Sequence, residues 1–497
     1  MSKIIIQNGN MCELDLPLKF AQKLYNEFAI RHPNAFYLRT KQRGMQNWDG
    51  KIHYITKTGQ FKIGLLPKVY DMCIEMGIKP KVVDMRQPLP KVSKVVTKIG
   101  KYKLRPEQEK AVKAVINNTI GGKPFHIGVL DYTVNAGKTL IMSSLYLSYK
   151  KQLKTLLITN DSDWLNQARE EFKQYLPGED ITFVQGKVLN WSNFTIGMVQ
   201  SISRNMRFYQ KELSQIDMVL IDEADQGGSR QYQNVITRLF NTRIRIGLSG
   251  TIYMSKLAKD KVKNMNLECF FGKVLAEFKL RDSIKKGYST KTVVKMVPGK
   301  PWYGNWESDC ISYKEIYDDS ITNSYTAWLM AYSRLRWNIN QGRYPALVVC
   351  KHIAHCENLY KFFKKKLGDA YNIAYVHVNT KSKLRQQIMK DFRDGKIDIL
   401  VSTTIIARGK NFPKLRYLLN AASMDSQEKS IQFLGRLVRT DKSKKKVYLD
   451  DLHYPGNYLD RHGKHRKQYY QRQELKVILL DKLWKKHPNH RALFRVN

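Results

Sequence analysis

Acidic residues, cysteine pairs and long apolar runs are all scarce in this sequence. Its 497 residues include 43 aspartates and glutamates against 86 lysines and arginines, a formal net charge of +43. No apolar stretch approaches the roughly 18 residues that a membrane-spanning helix needs. The first residues, "MSKIIIQNGNMCELD", do not have the pattern of a secretory signal peptide. We therefore expect no membrane span and a cytoplasmic location.

Cysteine pairs of the kind that bind zinc are missing as well. None of the six cysteines forms a C-x-x-C pair, and only "CKHIAHC", from Cys350 to Cys356, combines cysteine with histidine. A zinc site usually has a second ligand pair at matching spacing, so a metal site here is the weaker interpretation. The stronger one is that Cys350 ends a buried strand and Cys356 begins the next helix. Scattered free thiols are typical of a reducing cytoplasm.

The excess of positive charge points to a polyanionic partner. Like charges at this density destabilise a compact chain by self-repulsion, and a bound polyanion relieves that repulsion. Nucleic acid is the first candidate and a membrane surface the second. Because 42% of the residues are hydrophobic, the chain can still bury a normal core, and its length predicts two to four domains.

Two series of short apolar runs, separated by helical stretches, follow residue 104. Such runs are typical of buried parallel strands in an α/β layer. The first series is "FHIGVL", "TLLIT", "FTIGMVQ", "DMVLID" and "IRIGLSG", and the second is "ALVVC", "IAYVHV", "DILVST", "YLLNAAS" and "KVYLDDL". We predict an α/β fold with two tandem parallel-sheet domains at 101–288 and 289–453, a small α+β domain at 1–100 and a basic helical tail at 454–497.

A phosphate-binding loop is predicted between the first apolar run and the next helix. The stretch "TVNAGKT" ends like the pattern G-x-x-x-x-G-K-[ST], although Tyr132 stands at the position of the first glycine. Gly137 lets the backbone come close to a phosphate, Lys138 supplies a positive charge to the β- and γ-phosphates, and the Thr139 hydroxyl can bind Mg²⁺. The strand, loop and helix order is the context that this motif requires.

Two carboxylates complete a hydrolytic site. Asp222 and Glu223 end the apolar run of "DMVLIDEAD". Phosphoryl transfer to water needs one carboxylate at Mg²⁺ and another that orients or deprotonates the attacking water, and these two residues suit those roles. The alternative is a solvated acidic turn, which is a poor explanation in a chain with twice as many bases as acids.

An arginine pair in "QFLGRLVR" suits the same chemistry. An arginine that reaches the γ-phosphate from across a cleft can raise the rate by about 10³–10⁵. Arg436 and Arg439 lie three residues apart, so both can face one side of a helix, with Gln432 ahead of them. The alternative is a solvated basic face.

These motifs, in this order, resemble those of the superfamily 2 helicases and translocases, which have two RecA-like domains. The resemblance covers about residues 104–450 and implies ATP and Mg²⁺ bound between the domains. It assigns catalysis to Lys138, Asp222, Glu223, Gln432, Arg436 and Arg439. It assigns nucleotide binding to Arg105, Gln108 (at the adenine edge), Asn135, Ala136, Gly137, Lys138, Thr139 and Gly409, with Thr139 and Asp222 at the metal. It assigns nucleic-acid contacts to Gln200, Ser201, Thr403 and Arg408.

Some positions depart from the family pattern. Thr133-Val134-Asn135 replaces the usual Pro-Thr-Gly or Pro-Thr-Ser, and Asn411 replaces a common aspartate. Gln432 stands where DEAD-box RNA helicases usually have His-Arg, which argues against that group. None of these changes removes a catalytic group.

The first hundred residues narrow the resemblance. "NWDGKIHYI" and "GQFKIGLLPKVYDMCIEMG" resemble the small front domain of UvsW-like helicases of T4-type phages. That group implies an ATP-driven translocase that acts as a monomer on branched or forked DNA, in phage replication, recombination and repair. The host cytoplasm would then be its location.

Basic and aromatic residues in the front domain and the tail are candidates for DNA contact. We expect Arg39, Lys41, Arg43 and Lys51 to contact phosphates, while Trp48 either stacks on a base or packs the domain's own core. For Lys464 and Arg466 in the tail, we expect either contact with a DNA duplex or only a role in keeping the surface soluble. "KSKKK" at 442–446 is predicted as a hairpin tip near the DNA.

Three other functions stay open from the sequence. An RNA helicase would use the same motifs, and stimulation of ATP hydrolysis by RNA alone would identify it. A nucleic-acid-binding protein with an inactive nucleotide site would show no such stimulation. A restriction-enzyme motor has less support because we find no nuclease cluster of carboxylates and lysine outside the helicase motifs.

Overall fold

The computed structural model describes residues 2–41, 45–149, 152–186, 188–252, 260–299, 312–407 and 412–480. It divides into two compact units, Met1–Phe278 and Lys279–Asn497. The division falls ten residues before the predicted boundary at 288. The reason is that Val274–Phe278 is a strand of the first sheet, whereas the strand that begins at Lys291 belongs to the second.

The front of the first unit is a small α+β layer. Its elements are β1 (Lys3–Ile6), β2 (Met11–Asp15), α1 (Leu18–Glu27), β3 (Ala29–Arg31), α2 (Ala35–Lys41), β4 (Lys51–His53), β5 (Gln60–Lys62), α3 (Leu66–Glu75) and β6 (Lys81–Asp84), followed by the hairpin β7 (Lys98–Ile99) and β8 (Tyr102–Lys103). The strands β5-β2-β1-β6 form one sheet, and β3 pairs with β4 in a separate ribbon. Alternation of buried and exposed residues in β1 and β2 leaves one face of the sheet for packing.

The rest of the first unit is a parallel sheet between helices. Its elements are α4 (Pro106–Ile116), β9 (Thr119–Ile120), β10 (Lys123–Pro124), β11 (His126–Tyr132), α5 (Lys138–Ser148), β12 (Thr155–Thr159), α6 (Ser162–Tyr175), β13 (Ile181–Gln185), β14 (Val188–Leu189), β15 (Phe194–Met198), α7 (Val199–Arg204), α8 (Gln210–Ser214), β16 (Met218–Asp222), α9 (Arg230–Ile236), β17 (Ile244–Ser249), α10 (Lys261–Phe271) and β18 (Val274–Phe278). The strand order is β14-β13-β15-β12-β16-β17-β11-β18. All neighbours are parallel except β13 and β14, which confirms the predicted parallel sheet.

The front layer and the first parallel sheet share one hydrophobic core, which runs from Ile4 to Phe271. Arg245 of β17 is fully buried and joins the two parts, since it donates to Gly9 O at 2.6 Å and to Asn10 Oδ1 at 2.7 Å. The predicted separate domain at 1–100 is therefore packed into the first unit.

The second unit is also a parallel sheet with helices. Its elements are α11 (Leu280–Lys285), β19 (Lys291–Pro298), α12 (Tyr313–Tyr317), α13 (Tyr325–Ile339), β20 (Ala346–Cys350), α14 (Ile353–Leu367), β21 (Ile373–Val376), α15 (Ser382–Asp394), β22 (Ile399–Thr403), β23 (Tyr417–Asn420), α16 (Gln427–Leu437), β24 (Lys446–His453), α17 (Asn457–Arg472) and β25 (Val477–Leu479). The strand order β21-β22-β20-β23-β24-β19-β25 is parallel throughout. Cys350 ends β20 and Cys356 lies in the first turn of α14, as predicted.

Residues 454–480 are part of the second unit rather than an appended tail. α17 lies against the second sheet, with Leu459 in its core, and β25 adds a strand beside β19. Residues 481–497 lie outside the described residues. In the part of the chain that the structure describes, no helix combines the length and apolar character that crossing a membrane requires.

Candidate nucleotide-binding site and nucleic-acid contacts

The predicted phosphate loop connects β11 to α5. β11 ends at Tyr132, whose hydroxyl donates to Glu107 O at 2.7 Å, and α5 begins at Lys138. Gly137 has a φ of 73°, in the left-handed region that glycine adopts without strain. A Cβ atom there would lie 2.3 Å from Gln108 Nε2, so the close approach also requires glycine.

The start of α4 holds the loop in place. Arg105 Nη2 donates to Asn135 O at 3.0 Å, and Gln108 Nε2 donates to Ala136 O at 2.8 Å. Gln108 is buried, and its Oε1 also accepts from Arg105 N at 2.8 Å. In this conformation Gln108 supports the loop instead of presenting its amide to an adenine.

The backbone conformation explains why an asparagine occupies position 135. Its φ is 63°, in the left-handed region that most side chains avoid and that asparagine accepts best after glycine. Asparagine can therefore stand where the resemblance leads one to expect Gly or Ser.

Lys138 and Asp222 lie together at one edge of the first sheet. Asp222 is the last residue of β16, which is separated from β11 by β17, so its carboxylate emerges at the same edge as the loop. The Lys138 Nζ is 3.8 Å from Asp222 Oδ1, and the Asp222 side chain is buried. The sequence motifs predicted that these two residues meet.

The charges at this edge favour a protonated lysine. Burial alone lowers the pKa of Lys138, but the nearby carboxylates, Asp222 first and then Glu223, Asp225 and Asp131, raise it above its ordinary value. Burial raises the pKa of Asp222, and Lys138 opposes that rise. Lys138 thus carries a full positive charge where a triphosphate would lie.

Glu223 and the residues after it form a compact acidic turn. Glu223 has a φ of 53°, and a non-glycine residue in this region is typical of functional sites. The Ser249 hydroxyl donates to Asp225 Oδ1 at 2.8 Å. Ser249 Oγ in turn accepts a hydrogen bond from Thr251 N at 3.1 Å. The end of β17, "GLSGT", is thus hydrogen-bonded to the turn that carries Glu223.

The oxygen ligands here fit Mg²⁺. Asp222 Oδ1 is buried and has no hydrogen-bond donor among the described residues, and Thr139 is half-buried in the first turn of α5. Mg²⁺ is usually held by one or two protein oxygens together with substrate phosphates and water. The described residues contain no group of three or more His, Cys, Asp or Glu that could hold a metal ion.

The second unit carries the predicted arginines around the end of α16. Gln432 and Arg436 are one helical turn apart and partly exposed, with Gly435 buried between them. α16 ends at Leu437, so the expectation that Arg439 shares its helical face is wrong. Instead, Thr290 fixes the backbone that follows the helix, by donating from N to Val438 O at 2.8 Å and from Oγ1 to Arg439 O at 3.1 Å.

The residues predicted to touch a nucleic-acid strand differ in exposure. Gln200 and Ser201 lie half-buried in α7, and the Ser201 hydroxyl accepts from Gly186 N at 2.9 Å. Thr403 ends β22 and is only 7% exposed, so its side chain is nearly covered. Arg408 and Gly409 lie outside the described residues.

In the front layer, the basic residues Arg39, Lys41 and Lys51 are exposed, and Arg43 lies outside the described residues. Trp48 is half-buried, donates from Nε1 to Lys51 O at 2.8 Å and contacts the ring of His32. Tyr54, and not Trp48, packs against the core of the first unit. The most exposed ring among the described residues of the front layer is Phe36, at 80% exposure. The sequence does not indicate that Phe36 is exposed, because an aromatic residue in a short helix is usually part of a core.

The two basic residues of α17 have different environments. Lys464 is exposed and pairs with Asp460 at 2.6 Å. Arg466 is 0% exposed, and its guanidinium contacts Asp451 at 2.8 Å and donates to Met424 O and Leu452 O. The prediction that Arg466 contacts DNA is therefore wrong, because its charge is neutralised inside the second unit.

Comparison with protein families agrees with this architecture. The family described as "Type III restriction enzyme, res subunit" matches residues 101–254, and "Helicase conserved C-terminal domain" matches residues 331–441. The two family matches and the two parallel sheets identify the pair of domains that superfamily 2 helicases have.

Curated relatives are distant. The chain is similar to "Putative helicase 22" of Sulfolobus islandicus filamentous virus, with 23% identity over 71% of this chain and 64% of that protein. It is also similar to "ATP-dependent RNA helicase CHR1" of Candida albicans, with 23% identity over 45% of this chain and 33% of that protein. The chain thus spans less than two thirds of the length of these relatives.

Solved structures share the fold. The DNA-bound "ATP-dependent Type ISP restriction-modification enzyme LlaBIII" aligns with a TM-score of 0.58 and 13% identity, over 86% of this chain and 36% of that one. T4 UvsW aligns over 96% of this chain and 98% of that one, with 18% identity and a TM-score of 0.44. A TM-score of 0.44 does not by itself establish a common fold.

Proposed function

We propose that this protein is an ATP-dependent DNA translocase that unwinds and remodels branched or forked duplexes. The observation that carries the proposal is the cluster of Lys138, Asp222 and Glu223 at one sheet edge, with the Lys138 Nζ 3.8 Å from the buried Asp222 carboxylate. A charged lysine beside an ionisable aspartate is the arrangement that binds a metal–triphosphate complex.

Each residue has a role in hydrolysis that follows from its position. Lys138 binds the β- and γ-phosphates, while Arg105 and Gln108 keep the loop backbone in shape around them. Thr139 and Asp222 would hold Mg²⁺, which neutralises charge on the phosphate oxygens when it is bound. Glu223 orients the attacking water and accepts its proton.

The second unit supplies the positive charge that the transition state needs. Phosphoryl transfer spreads negative charge over the γ-phosphate oxygens, and Arg436 and Arg439 would neutralise that charge. Gln432, one turn before Arg436, positions the water or the phosphate. Hydrolysis then drives movement along the bound DNA.

The link from Asp225 to Ser249 suits the coupling of hydrolysis to movement. Ser249 is the last residue of β17, and the second residue of that strand is Arg245, which contacts the front layer at Gly9 and Asn10. A change in the acidic turn on loss of the γ-phosphate would therefore reach the front layer through a single strand.

The choice of DNA rests on the resemblance of residues 47–55 and 59–77 to UvsW-like helicases, and the net charge of +43 supports a nucleic-acid partner in general. We assign the activity to phage DNA replication, recombination and repair, with the protein acting as a monomer in the host cytoplasm. The buried free thiols suit a reducing compartment.

The experiment that tests the proposal compares ATP hydrolysis with linear duplex, forked DNA, a four-way junction and RNA of matched length at one salt concentration. We expect the greatest stimulation by forked or four-way DNA. Stimulation by RNA alone would identify an RNA helicase, and the absence of any stimulation would indicate an inactive nucleotide site.

A further inference from the structure

A cavity of about 470 Å³ lies in the front layer, between α2 and the ribbon of β3 and β4. Its size falls in the range of small-ligand sites, which is roughly 300–1,000 Å³. Three cations, Arg31, Arg39 and Lys51, line it together with the ring of Phe36. The helicase motifs lie elsewhere in the chain, so the cavity is outside the ATP site.

The cavity carries more positive than negative charge, with three cations and the single carboxylate of Asp49 in its lining. Arg31 and Lys51 are directly opposite each other in the antiparallel pairing of β3 with β4, an arrangement in which like charges repel. No carboxylate of the described residues forms an ion pair with Arg31, Arg39 or Lys51. A bound phosphate would relieve this repulsion.

The single carboxylate that lines the cavity is already engaged. Asp49 Oδ2 contacts His53 Nε2 at 2.7 Å, and Asp49 Oδ1 accepts from Lys51 N at 2.9 Å. Asp49 thus shapes the loop before β4, and its single negative charge leaves the cavity with a net positive charge from Arg31, Arg39 and Lys51.

Phe36 adds a stacking surface beside these cations. Its ring is 80% exposed although it lines the cavity, and an apolar ring in water beside three positive charges suits a flat base joined to a phosphate. Tyr37, the next residue of α2, is 62% exposed but does not line the cavity. It is therefore a natural control.

We propose that this cavity binds one unpaired nucleotide of the DNA, with its base on Phe36 and its phosphate among Arg31, Arg39 and Lys51. The inference rests on the proposed function, because it identifies the feature of a branched duplex that the front layer recognises. A fully paired duplex has its bases stacked inside the helix and offers Phe36 no base.

The test uses two duplexes of the same sequence, one fully paired and one with a single unpaired 2-aminopurine. Affinity is measured by fluorescence anisotropy at fixed salt for the wild-type protein, Phe36→Ala and Tyr37→Ala. We expect Phe36→Ala to weaken binding of the unpaired-base DNA about tenfold and to leave the paired duplex unchanged. Tyr37→Ala should bind both DNAs like the wild-type protein. The 2-aminopurine emission should change on binding to the wild-type protein and Tyr37→Ala but not to Phe36→Ala.

A second pair of variants tests the phosphate contacts. Arg31→Gln and Arg39→Gln should each lower the slope of log affinity against log salt by about one for the unpaired-base DNA and leave the slope for the paired duplex unchanged. Equal slopes for all proteins on both DNAs would overturn the proposal.

Two further outcomes would also overturn it. One is equal affinity of Phe36→Ala and Tyr37→Ala for the unpaired-base DNA, and the other is tighter binding to the same duplex made of RNA. The experiments can show separately whether the cavity assignment is wrong and whether the proposed function is wrong. If forked DNA stimulates ATP hydrolysis by the wild-type protein while the two aromatic variants bind alike, only the cavity assignment is wrong.

Discussion

Replacing Arg466 by methionine should destabilise the second unit without lowering the affinity of the protein for DNA. The guanidinium is completely buried, and it donates to Asp451, Met424 O and Leu452 O at 2.8–3.0 Å. Methionine is similar in length but leaves the Asp451 carboxylate buried without its cation. Removing one partner of a buried ion pair usually costs about 3–5 kcal/mol.

The lower end of that range applies here. Asp451 keeps two donors, Asn420 Nδ2 at 2.8 Å and Tyr470 OH at 2.7 Å, so its charge is not left without hydrogen bonds. We therefore expect the free energy of unfolding to fall by about 3 kcal/mol. The double variant Arg466→Met/Asp451→Asn should lose less than the sum of the single losses, because it leaves no buried charge unpaired.

The assay is urea denaturation of the full chain, with hydrogen exchange of peptides from α17 and β24 as the local readout of the second unit. DNA affinity of the same variants is measured as a function of salt. The reasoning would be refuted by an Arg466→Met protein that unfolds at the wild-type urea concentration while its salt slope of DNA binding falls by about one.

Three further predictions concern the nucleotide site and pH. Arg439→Ala should lower kcat for ATP by about 10³-fold with a much smaller change in KM, as steady-state kinetics would report, and equal changes in both constants would instead indicate a ground-state contact. Asn135→Val should lower ATP affinity by about tenfold relative to Asn135→Gly, because a β-branched residue is strained at a φ of 63°; equal affinities in a nucleotide-binding titration would contradict this. Burial lowers the pKa of His355 from 6.5 to about 3, so the unfolded chain takes up a proton that the folded chain refuses as pH falls below 6.5. That difference should reduce the free energy of unfolding by about 2 kcal/mol at pH 5, and His355→Gln should unfold with a shallower pH dependence in urea titrations. An unchanged pH dependence in that variant would show that His355 is not buried in its neutral form.

The strands of both sheets could be predicted because a strand that is buried on both faces must be apolar throughout. "TLLIT" and "ALVVC" coincide with β12 and β20 residue for residue. The meeting of Lys138 with Asp222 followed from the same logic, since the carboxyl ends of parallel strands share one edge of the sheet.

The sequence does not reveal which basic residues are buried. Arg466 lies in a strongly basic stretch, yet it is covered because α17 lies on the second sheet with Asp451 beneath it. Lys444 of "KSKKK" is buried too, and it donates to Leu415 O and Leu437 O at 3.0 Å. Burial lowers the pKa of Lys444 to about 8. Only the tertiary packing separates these residues from the exposed cations near them.

For the aromatic residues Phe36 and Trp48, too, the sequence does not reveal whether the side chain is buried. The local sequence "QNWDGK" leaves open whether the Trp48 ring stacks on a base or packs in the core, and the structure half-buries the ring, with Nε1 donating to Lys51 O. Phe36 looks like a core residue of α2 and is exposed because that short helix buries Ala35 instead. Side-chain direction in such short elements depends on the contacts that the surrounding chain provides.

The most direct test of the central claim is the rate of ATP hydrolysis by the wild-type protein and by Lys138→Ala, each saturated with forked DNA. The claim is that hydrolysis at the edge formed by Lys138, Asp222 and Glu223 drives movement on DNA. It predicts DNA-stimulated hydrolysis by the wild-type protein and none above background by Lys138→Ala, although both bind the fork with similar affinity. Hydrolysis by Lys138→Ala at the wild-type rate would contradict it.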